Sequence, residues 1–576
     1  MDTKKINELY TLWREKAVAD RDLVTELESV NGKDDEILDR FYRDLEFGTA
    51  GLRGVIGAGT NRMNYYTVRQ ATQGLANYIL SYKPTGASVA IAYDSRIKSD
   101  YFSLISAEVL VANGIAVHMY DRLMPTPMLS YAVRACKCDA GINVTASHNP
   151  AKYNGYKVYG PDGCQLTLEA AEAVLKEIEH INIFTGVKSA NFDEAVKSGK
   201  IQYISEEIQN DFYAEVKKQC IHPEIAASSG LKIVYTPLNG TGNKPVQRIL
   251  RDIGITDVTV VPEQENPDGN FPTCPFPNPE IREALATGLA LSDKVKPDLL
   301  LATDPDCDRV GIAAPDGNGG YALFSGNEVG AMLLEYVCRE RTARGTLPEN
   351  AVAVKSIVST TLADKIAEKY GVKLVKVLTG FKFIGEQIGE LEKKGEEKRF
   401  IFGFEESYGY LAGTYCRDKD AVIGSMLIAE MAAFYKSQGV SLVAARERLY
   451  KEYGYYLNKL DNFGFEGASG MAKMAEQMAM LRKDYPKTFN GAKVVSLTDY
   501  QESLELNLET GAKTTLTLPK SDVVVLTFEN GGSIVVRPSG TEPKIKVYYT
   551  AIGKTLPEAF DLAAKYSKEF TAFFIK

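Results

Sequence analysis

No stretch of the 576-residue sequence approaches the ~20 consecutive apolar residues that a membrane-spanning helix needs. The chain also lacks an excess of basic residues, because its formal net charge is −8. We therefore expect neither a membrane protein nor a protein that binds nucleic acid through a broad basic face. A small anionic substrate is still compatible with this composition, because a local basic pocket can exist in an acidic protein.

Cysteine and histidine are scarce and scattered, with 8 and 4 residues respectively. Only Cys136 and Cys138 are close in sequence, and no histidine completes a zinc-binding pattern near them. We expect reduced, mostly buried thiols, which are typical of a cytoplasmic protein. The polar residues at the start of the sequence predict a charged amphipathic helix and no signal peptide.

The order of predicted elements divides the chain into several α/β units, as its length leads us to expect. Helices are predicted before about Arg43, and from Ser88 onward strands alternate with helices. This alternation is typical of parallel sheets with right-handed crossovers, and it restarts near Leu231 and again near Asn327.

The last part of the chain has a different pattern. Residues from Leu442 to Lys483 are predicted to be helical. Beyond Val523 the sequence predicts antiparallel strands followed by a C-terminal helix. The chain is therefore predicted to contain three similar α/β units and a smaller α+β unit.

A serine stands in a tight turn directly after the predicted buried strand Ala140–Val144. Loops at such strand ends are where α/β proteins usually bind ligands. Ser147 is followed by His148, and Lys157 lies a short distance further along. These residue types suit a nucleophile with acid–base partners, although Ser147 and His148 taken alone are better explained by an ordinary hydrophilic turn.

Three carboxylates alternate in the stretch Asp304-Pro305-Asp306-Cys307-Asp308-Arg309, which follows another predicted buried strand. Such carboxylates can converge on one hard cation, and Mg²⁺ prefers oxygen ligands while it keeps positions for a phosphate oxygen. The adjacent Arg309 can contact the same phosphoryl group. A calcium-binding loop is excluded, because its sixth and twelfth positions lack the required glycine and glutamate. The alternative interpretation is a solvated acidic turn.

Further stretches carry the chemistry of anion and sugar binding. Three glycines around Arg53 allow the backbone to fold closely about an anion, and Arg537-Pro538-Ser539-Gly540-Thr541 can form an anion-binding loop. Glu405 and Ser407 suit vicinal hydroxyls, but glutamates at a helix N-terminus are an equally good explanation. The run Arg417-Asp418-Lys419-Asp420 is interpreted as a surface charge run.

Taken together, these loops resemble those of the α-D-phosphohexomutase superfamily, and the resemblance covers nearly the whole chain. Four stretches occur in the order typical of the family: Thr-Ala-Ser-His-Asn-Pro at 145–150, Asp-Pro-Asp-Cys-Asp-Arg at 304–309, Glu-Glu-Ser at 405–407 and Arg-Pro-Ser-Gly-Thr at 537–541. Phe-Gly-Thr-Ala-Gly-Leu-Arg-Gly at 47–54 is most similar to the branch of type 2 phosphoglucomutases and phosphopentomutases.

The resemblance implies an α/β fold class, with three similar α/β domains that have mixed or parallel sheets and a C-terminal α+β domain around a central cleft. Four domains are expected: 1–205 with the N-terminal helices and a phosphoserine, 206–325 with magnesium, 326–485 with the sugar-binding loop, and 486–576 with a phosphate-binding loop. The implied enzyme is an intramolecular phosphotransferase. It would interconvert sugar 1-phosphates and 6-phosphates through a phosphoserine enzyme and a bisphosphate intermediate.

Residue roles follow from the same resemblance. The implied catalytic residues are Ser147, His148, Lys157, Arg53 and Arg309. The implied substrate-binding residues are Thr379, Gly380, Glu405, Ser407, Lys419, Arg537, Ser539, Gly540 and Thr541. The implied metal ligands are Ser147, Asp304, Asp306 and Asp308. Cys307 stands where the family usually has glycine or alanine, a change that should leave the ligands unaffected.

The expected cofactors are Mg²⁺ and, as an activator, a sugar 1,6-bisphosphate such as glucose 1,6-bisphosphate. The expected partner is a small phosphosugar, with no nucleic acid and no membrane, and the chain is expected to be a monomer or a homodimer. Phosphomannomutase and phosphopentomutase activities by the same mechanism are alternatives. A Mg²⁺-dependent sugar phosphatase and a non-enzymatic sugar-phosphate-binding scaffold are rivals of a different class.

Overall fold

The computed structural model describes residues 3–48, 51–465, 470–539 and 544–575, which fall into two compact units. The first unit contains the described residues of Met1–Ser325, Ile384–Phe400 and Ser407–Ser441, and the second those of Gly326–Phe383, Ile401–Glu406 and Leu442–Lys576. None of the helices in these described ranges combines the length and apolar character that a membrane crossing requires.

The first unit begins with three helices that pack around the buried Trp13. They are α1 (Thr3–Lys16), α2 (Arg21–Ser29) and α3 (Asp34–Phe41). The helices predicted before Arg43 are thereby confirmed. A mixed α/β layer follows, with the elements β1 (Gly51–Val55), α4 (Tyr65–Tyr82), β2 (Ser88–Tyr93), α5 (Ser99–Ala112), β3 (Ala116–Met119), α6 (Thr126–Ala135), β4 (Ala140–Val144), β5 (Tyr153–Tyr159), α7 (Leu168–Glu179), α8 (Phe192–Lys197) and β6 (Ile201–Tyr203).

The six strands of this layer form one sheet in the order β1-β5-β4-β2-β3-β6. Strands β4, β2, β3 and β6 run parallel, whereas β5 and β1 are antiparallel to their neighbours. The apolar side chains of β2 and β4 are fully buried, among them Val89, Ile91, Ile142 and Val144. Parallel strands buried on both faces place their loops at one edge, so the loops after β2 and β4 are neighbours.

A second mixed sheet follows in the same unit. Its part of the chain contains α9 (Glu206–Lys217), α10 (Pro223–Ser228), β7 (Lys232–Thr236), α11 (Asn243–Asp252), β8 (Asp257–Val260), α12 (Pro262–Glu265), a 3₁₀ helix (Arg282–Leu285), α13 (Ala286–Val295), β9 (Leu299–Thr303), β10 (Val310–Pro315) and β11 (Tyr321–Phe324). The strand order is β11-β10-β9-β7-β8, with β8, β7 and β9 parallel. The carboxylate-rich turn joins β9 to the antiparallel β10.

The third part of the chain contributes to both units. Its elements are α14 (Gly326–Ala343), β12 (Val352–Ser356), α15 (Leu362–Tyr370), β13 (Lys373–Val377), α16 (Phe381–Glu392), a 3₁₀ helix (Glu397–Arg399), β14 (Phe400–Glu405), β15 (Gly409–Leu411), α17 (Ala421–Ser437) and α18 (Leu442–Tyr453). In the second unit β12 lies between β13 and β14, and β12 and β13 are parallel. The alternation of strands and helices predicted for this stretch is confirmed.

The second unit ends in a large antiparallel sheet. Its elements are β16 (Tyr455–Gly464), α19 (Gly470–Lys483), β17 (Thr488–Phe489), β18 (Ala492–Asp499), β19 (Leu504–Asn507), β20 (Lys513–Thr515), β21 (Val524–Phe528), β22 (Ser533–Pro538), β23 (Lys544–Gly553) and α20 (Leu556–Phe574). The sheet has the order β16-β23-β22-β21-β18-β19-β20, and β17 pairs with β18. The three mixed sheets and this α+β region confirm the predicted fold class, whereas the domain boundaries and the central cleft stay predictions.

One predicted element is wrong. The sequence predicted helix throughout Leu442–Lys483, but Tyr455–Gly464 is a strand between two helices. It pairs along its whole length with β23, from Tyr455 opposite Gly553 to Gly464 opposite Lys544. The pairing joins residues far apart in the sequence, so no local window of charged and apolar residues could indicate it.

Candidate active site

Ser147 lies in the loop after β4 with a left-handed backbone conformation, at φ 50°. Residues with a side chain rarely adopt this conformation, and neighbouring contacts must hold it. The N–H of Ser147 donates to Oγ1 of Thr145 at 2.9 Å, and that hydroxyl donates to Asp94 at 2.6 Å. The loop after β2 therefore fixes the start of the serine loop.

A buried arginine holds the rest of the same loop. The guanidinium of Arg96 donates to the carbonyl oxygens of Ser147 and Asn149, to that of Pro150 at 3.0 Å and to that of Tyr153 at 3.1 Å. Burial lowers the pKa of Arg96, and the carboxylate of Asp94 opposes this shift. One side chain thus donates to four carbonyls between Ser147 and Tyr153, where the loop enters β5.

Three of the four predicted metal ligands, the aspartates, converge in the turn between β9 and β10. Asp304, Asp306 and Asp308 are at most 1% exposed, and their ligand oxygens lie within 4.8 Å of one another. Oγ of Ser147 donates to Oδ2 of Asp304 at 2.7 Å, so the predicted nucleophile lies directly against the triplet.

The donor set of this triplet fits magnesium. Among the described residues, Oδ1 of Asp306 and Oδ1 of Asp308 are buried without a hydrogen-bond partner, a costly arrangement that a bound cation would remove. Burial and the neighbouring carboxylates raise the pKa of Asp304, and they also raise the pKa of Asp308. For Asp306 burial is outweighed by the ammonium group of Lys157, which lowers the pKa. Clustered carboxylate oxygens are the ligands that Mg²⁺ prefers.

Two lysines provide positive charge at the triplet. Nζ of Lys157 lies 2.8 Å from Oδ2 of Asp306, and Nζ of Lys419 lies 3.0 Å from Oδ2 of Asp308. Lys419 also contacts Asp418, whose other carboxylate oxygen accepts a hydrogen bond from Tyr159. The run 417–420 is buried throughout, so its interpretation as a surface charge run is wrong. Charges paired inside the protein and charges in solvent have the same sequence pattern.

His148 is the second polar side chain beside the serine. Its Nδ1 lies 3.2 Å from Oγ of Ser147. Burial, followed by the charges of Arg309 and Arg53, lowers the pKa of His148 well below its usual value. The imidazole is therefore neutral near pH 7.

The two predicted catalytic arginines differ in their surroundings. Arg309 donates to Oε1 of Glu280 at 2.8 Å and to the carbonyl oxygen of Ser407 at 2.9 Å, which fixes its guanidinium beside the triplet. Arg53 is exposed on β1, directly opposite Gly155 of β5. Both cations lie close enough to the serine loop to act on the pKa of His148.

Several residues that hold the triplet carry no signal in the sequence. Oγ1 of Thr126, at the start of α6, donates to Oδ2 of Asp306 at 2.8 Å. The loop after β7 packs under the turn, because the N–H of Thr241 donates to the carbonyl oxygen of Pro305 at 2.8 Å and Gly240 lies against the same residue. Thr126, Gly240 and Thr241 are far from the turn in the sequence, so the sequence does not indicate these contacts.

In the second unit, Glu405 ends β14 and is 4% exposed. Its Oε1 accepts a hydrogen bond from the N–H of Gly380 at 2.6 Å, and Gly380 has a φ of 123° that favours glycine. Oγ1 of the neighbouring Thr379 is buried and has no hydrogen-bond partner within the described ranges. The predicted sugar-binding residues of this unit thus lie together.

The predicted phosphate loop begins at the end of β22. Arg537 belongs to this strand, and the N–H of Ser539 donates to the carbonyl oxygen of Lys544 at 2.8 Å. Gly540 and Thr541 lie outside the described residues. The structure therefore describes only the start of this loop.

A serine hydroxyl against a buried carboxylate triplet, with cations on both sides, defines a class of protein. This arrangement is typical of α/β enzymes that transfer phosphoryl groups with the help of a divalent cation. All eight cysteines are unpaired, and six of them are buried, in agreement with the prediction of mostly buried thiols.

Family models match the chain in four consecutive parts. They describe the phosphoglucomutase/phosphomannomutase α/β/α domain I at residues 44–183, domain II at 210–318, domain III at 325–453 and the C-terminal domain at 483–555. The chain belongs to the phosphoglucomutase/phosphomannomutase family. The resemblance inferred from the loops and the predicted enzyme class, an intramolecular phosphotransferase, are thereby confirmed.

Individual relatives agree with this assignment. A phosphoglucomutase of Staphylococcus saprophyticus is 38% identical over 506 residues, which cover 88% of this chain and 90% of the relative. A phosphoglucomutase of Staphylococcus aureus is 36% identical over 528 residues, covering 91% and 92%.

Two solved structures share the fold. A putative phosphomannomutase from Thermus thermophilus has a TM-score of 0.67 at 22% identity, with 91% of this chain and 99% of the other covered. The open form of parafusin, a phosphoglucomutase from Paramecium, has a TM-score of 0.70 at 17% identity, with 93% and 96% covered.

Proposed function

We propose that the protein is a phosphoglucomutase, which interconverts glucose 1-phosphate and glucose 6-phosphate through a phosphorylated Ser147. The observation that carries this proposal is the 2.7 Å distance between Oγ of Ser147 and Oδ2 of Asp304 in the buried triplet. The preference for glucose is supported by staphylococcal relatives that are phosphoglucomutases and are 36–38% identical over most of the chain.

The proposed reaction is two phosphoryl transfers. The 6-hydroxyl oxygen of glucose 1-phosphate attacks the phosphorus on Ser147, so that a phosphorus–oxygen bond to the sugar forms while the bond to Oγ breaks. The product is glucose 1,6-bisphosphate, which then reorients in the site so that its other phosphoryl group faces Ser147. Its 1-phosphoryl group returns to Oγ of Ser147 and glucose 6-phosphate leaves. Free glucose 1,6-bisphosphate acts as an activator, because it can phosphorylate Ser147 directly.

Each transfer needs a group that accepts the hydroxyl proton and a group that returns one to the leaving oxygen. His148 and Lys157 are proposed for these roles. Nδ1 of His148 is 3.2 Å from Oγ of Ser147, and Nζ of Lys157 is 2.8 Å from Oδ2 of Asp306 in the triplet. The proton leaves the attacking hydroxyl as the new bond forms, and Oγ gains one when it is released.

Positive charge around the transferring group is proposed to come from several sources. Asp304, Asp306, Asp308 and the phosphorylated Ser147 would hold Mg²⁺, which when bound neutralises charge on the transferring phosphoryl group. Arg309, already fixed by Glu280, adds a guanidinium that pairs with phosphoryl oxygens.

The remaining predicted residues are proposed to bind the substrate. Those proposed for the sugar hydroxyls are Glu405, Ser407, Thr379 and Gly380. Those proposed for the phosphate that does not react are Arg537, Ser539, Gly540 and Thr541, with Lys419 as a further substrate contact. The carboxylate of Glu405 can accept hydrogen bonds from sugar hydroxyls. The guanidinium of Arg537 can donate two parallel hydrogen bonds to a phosphate.

The test is direct detection of the phosphoserine together with turnover. Protein treated with glucose 1,6-bisphosphate should carry one phosphate on the peptide that contains Ser147. It should convert glucose 1-phosphate to glucose 6-phosphate, and chelation of Mg²⁺ should stop this. Ser147→Ala should lose both the phosphate and the turnover, whereas the control Ser81→Ala, at the end of α4, should keep both.

Other outcomes identify the rivals. An unmodified Ser147 with release of inorganic phosphate would favour the Mg²⁺-dependent phosphatase. Faster turnover of mannose 1-phosphate or ribose 1-phosphate would assign the sugar differently on the same mechanism. Unchanged turnover in Ser147→Ala would contradict the proposed mechanism altogether.

A further inference from the structure

A buried lysine lies near the predicted sugar-binding residues of the second unit. Lys355, near the end of β12, is 1% exposed. Its Nζ donates to Oδ2 of Asp364 at 2.6 Å, to the carbonyl oxygen of Thr360 at 2.8 Å and to that of Ser359 at 3.3 Å. The ammonium group therefore folds the strand-to-helix segment, residues 356–360, back onto the strand.

This strand-to-helix segment contacts the loop that follows β14. Oγ of Ser356 donates to Oε2 of Glu406 at 3.0 Å and also pairs with Oγ of Ser359 at 2.8 Å. Glu406 directly follows Glu405, the residue proposed for the sugar hydroxyls. Lys355 holds Ser359, Ser359 contacts Ser356, and Ser356 donates to Glu406. Lys355 is thus connected to the orientation of Glu406 and of the adjacent Glu405.

The same segment also contacts the strand of the predicted phosphate loop. Val358 is 4% exposed and packs in one apolar cluster with Val523, Val535 and Tyr548. Val535 and Arg537 belong to the same strand, β22. One short segment therefore packs against the sugar-binding and the phosphate-binding elements of this unit.

The charge of Lys355 has a cost for stability. Burial lowers its pKa to about 8, although the carboxylate of Asp364 opposes the shift. An apolar side chain of similar length would avoid this cost, since buried ion pairs are often no more stable than well-packed apolar residues. Proteins keep such destabilising groups where function needs them, and ordering a binding site is one such need.

We propose that Lys355 is a positioning residue for phosphosugar binding. It holds the strand-to-helix segment so that Ser356 orients Glu406 and Val358 supports the strand that carries Arg537. Lys355 does not touch the substrate in this proposal; it acts through the segment. The inference rests on the proposed mutase activity and adds a residue to it.

The test compares two lysines that contact one carboxylate. Lys376, on β13, lies 2.6 Å from Oδ1 of Asp364 but is 52% exposed. Lys355→Met should raise the KM for glucose 1-phosphate on the order of tenfold, the loss expected when charged hydrogen bonds are removed. Lys376→Met should keep the wild-type KM. The Mg²⁺ concentration for half-maximal activity should stay unchanged in both, because the triplet belongs to the other unit.

Ser356→Ala provides a second, milder variant that removes the hydrogen bond to Glu406. Its KM should rise in the same way, and the double variant with Lys355→Met should be little worse than either single one, since both changes break one connection. Equal KM values in Lys355→Met and Lys376→Met, or increases that multiply in the double variant, would overturn the proposal. Should Lys355→Met fail to fold, an unchanged KM in Ser356→Ala would overturn it.

Amide hydrogen exchange separates this inference from the proposed function. In Lys355→Met, exchange should become faster in residues 356–360 and 401–406, and it should stay unchanged in Lys376→Met. If the wild-type protein does not convert glucose 1-phosphate, the proposed function is wrong. The comparison of exchange rates between the two variants then still tests whether Lys355 orders the segment. Wild-type turnover with identical exchange and KM in both variants removes only the role of Lys355.

Discussion

Gly240→Ala tests whether the loop after β7 holds the carboxylate triplet in place. A Cβ at Gly240 would lie 2.4 Å from Cα and 2.6 Å from the carbonyl oxygen of Pro305, whereas ordinary contacts begin at 3.4 Å. Pro305 stands between Asp304 and Asp306, and protein interiors have little free space to absorb such a contact. The turn must therefore move by about 1 Å.

Two magnitudes follow from this displacement. Overpacking of this kind usually costs about 1–3 kcal/mol of stability, which the first unit should tolerate. A shift of about 1 Å at a reacting centre can lower the rate about 100-fold, equivalent to about 2.7 kcal/mol in the barrier. Gly240→Ala should therefore fold, yet lose about 100-fold in kcat/KM and need more Mg²⁺, because its ligand oxygens no longer converge.

The assay is conversion of glucose 1-phosphate followed through glucose 6-phosphate across a titration of Mg²⁺. Gly389→Ala is the matched control, because Gly389 lies in α16 and a Cβ there would meet no atom within 4 Å. This control should keep full activity and gain about 0.5–1 kcal/mol in stability from the better helix former. A Gly240→Ala variant with the wild-type rate and Mg²⁺ requirement would refute the argument that the loop holds the turn.

Two further changes have defined outcomes. Arg96→Met should lower the free energy of unfolding by about 3–5 kcal/mol, because it leaves Asp94 buried without its cation, and urea unfolding should show whether Arg96→Lys recovers only part of the loss. Burial lowers the pKa of Lys355, which faces the charges of Asp364 and Lys376, from the usual 10.5 to about 8. The unfolded chain therefore binds more protons between these pH values, so the unfolding free energy of wild type should rise by about 3 kcal/mol relative to Lys355→Met from pH 8 to 10.5. Parallel pH curves for the two proteins would contradict this.

Local sequence patterns were sufficient for most of the fold. The apolar run at Val89–Tyr93 lies within β2, and the run at 140–144 is β4, because a strand buried on both faces needs such residues. The strand Tyr455–Gly464 was missed because it lies at the edge of its sheet, and its partner, β23, is far away in the sequence. Edge strands carry charged residues such as Lys459, which also suit a helix surface.

The candidate site was predictable where its side chains occur together in the sequence. Asp304, Asp306 and Asp308 stand in one turn, so the sequence alone could bring them to one cation. The contact of Ser147 with this turn could be inferred only from the family resemblance, because the two loops belong to different sheets. The burial of 417–420 could not be inferred, since the charges that neutralise Lys419 come from Asp418 beside it and from Asp308 in another element.

Arg96 and Lys355 stabilise loops in the same way, which the sequence does not indicate. Each is a buried cation near the carboxyl end of a parallel strand, and each donates to backbone carbonyls of a loop that is proposed to serve the reaction. One cation with several donors can satisfy several such carbonyls at once. Because every residue offers the same carbonyl, the sequence contains no signal for the loop that a cation will bind. The result is a loop ordered before substrate arrives, which lowers the entropy that binding must otherwise overcome.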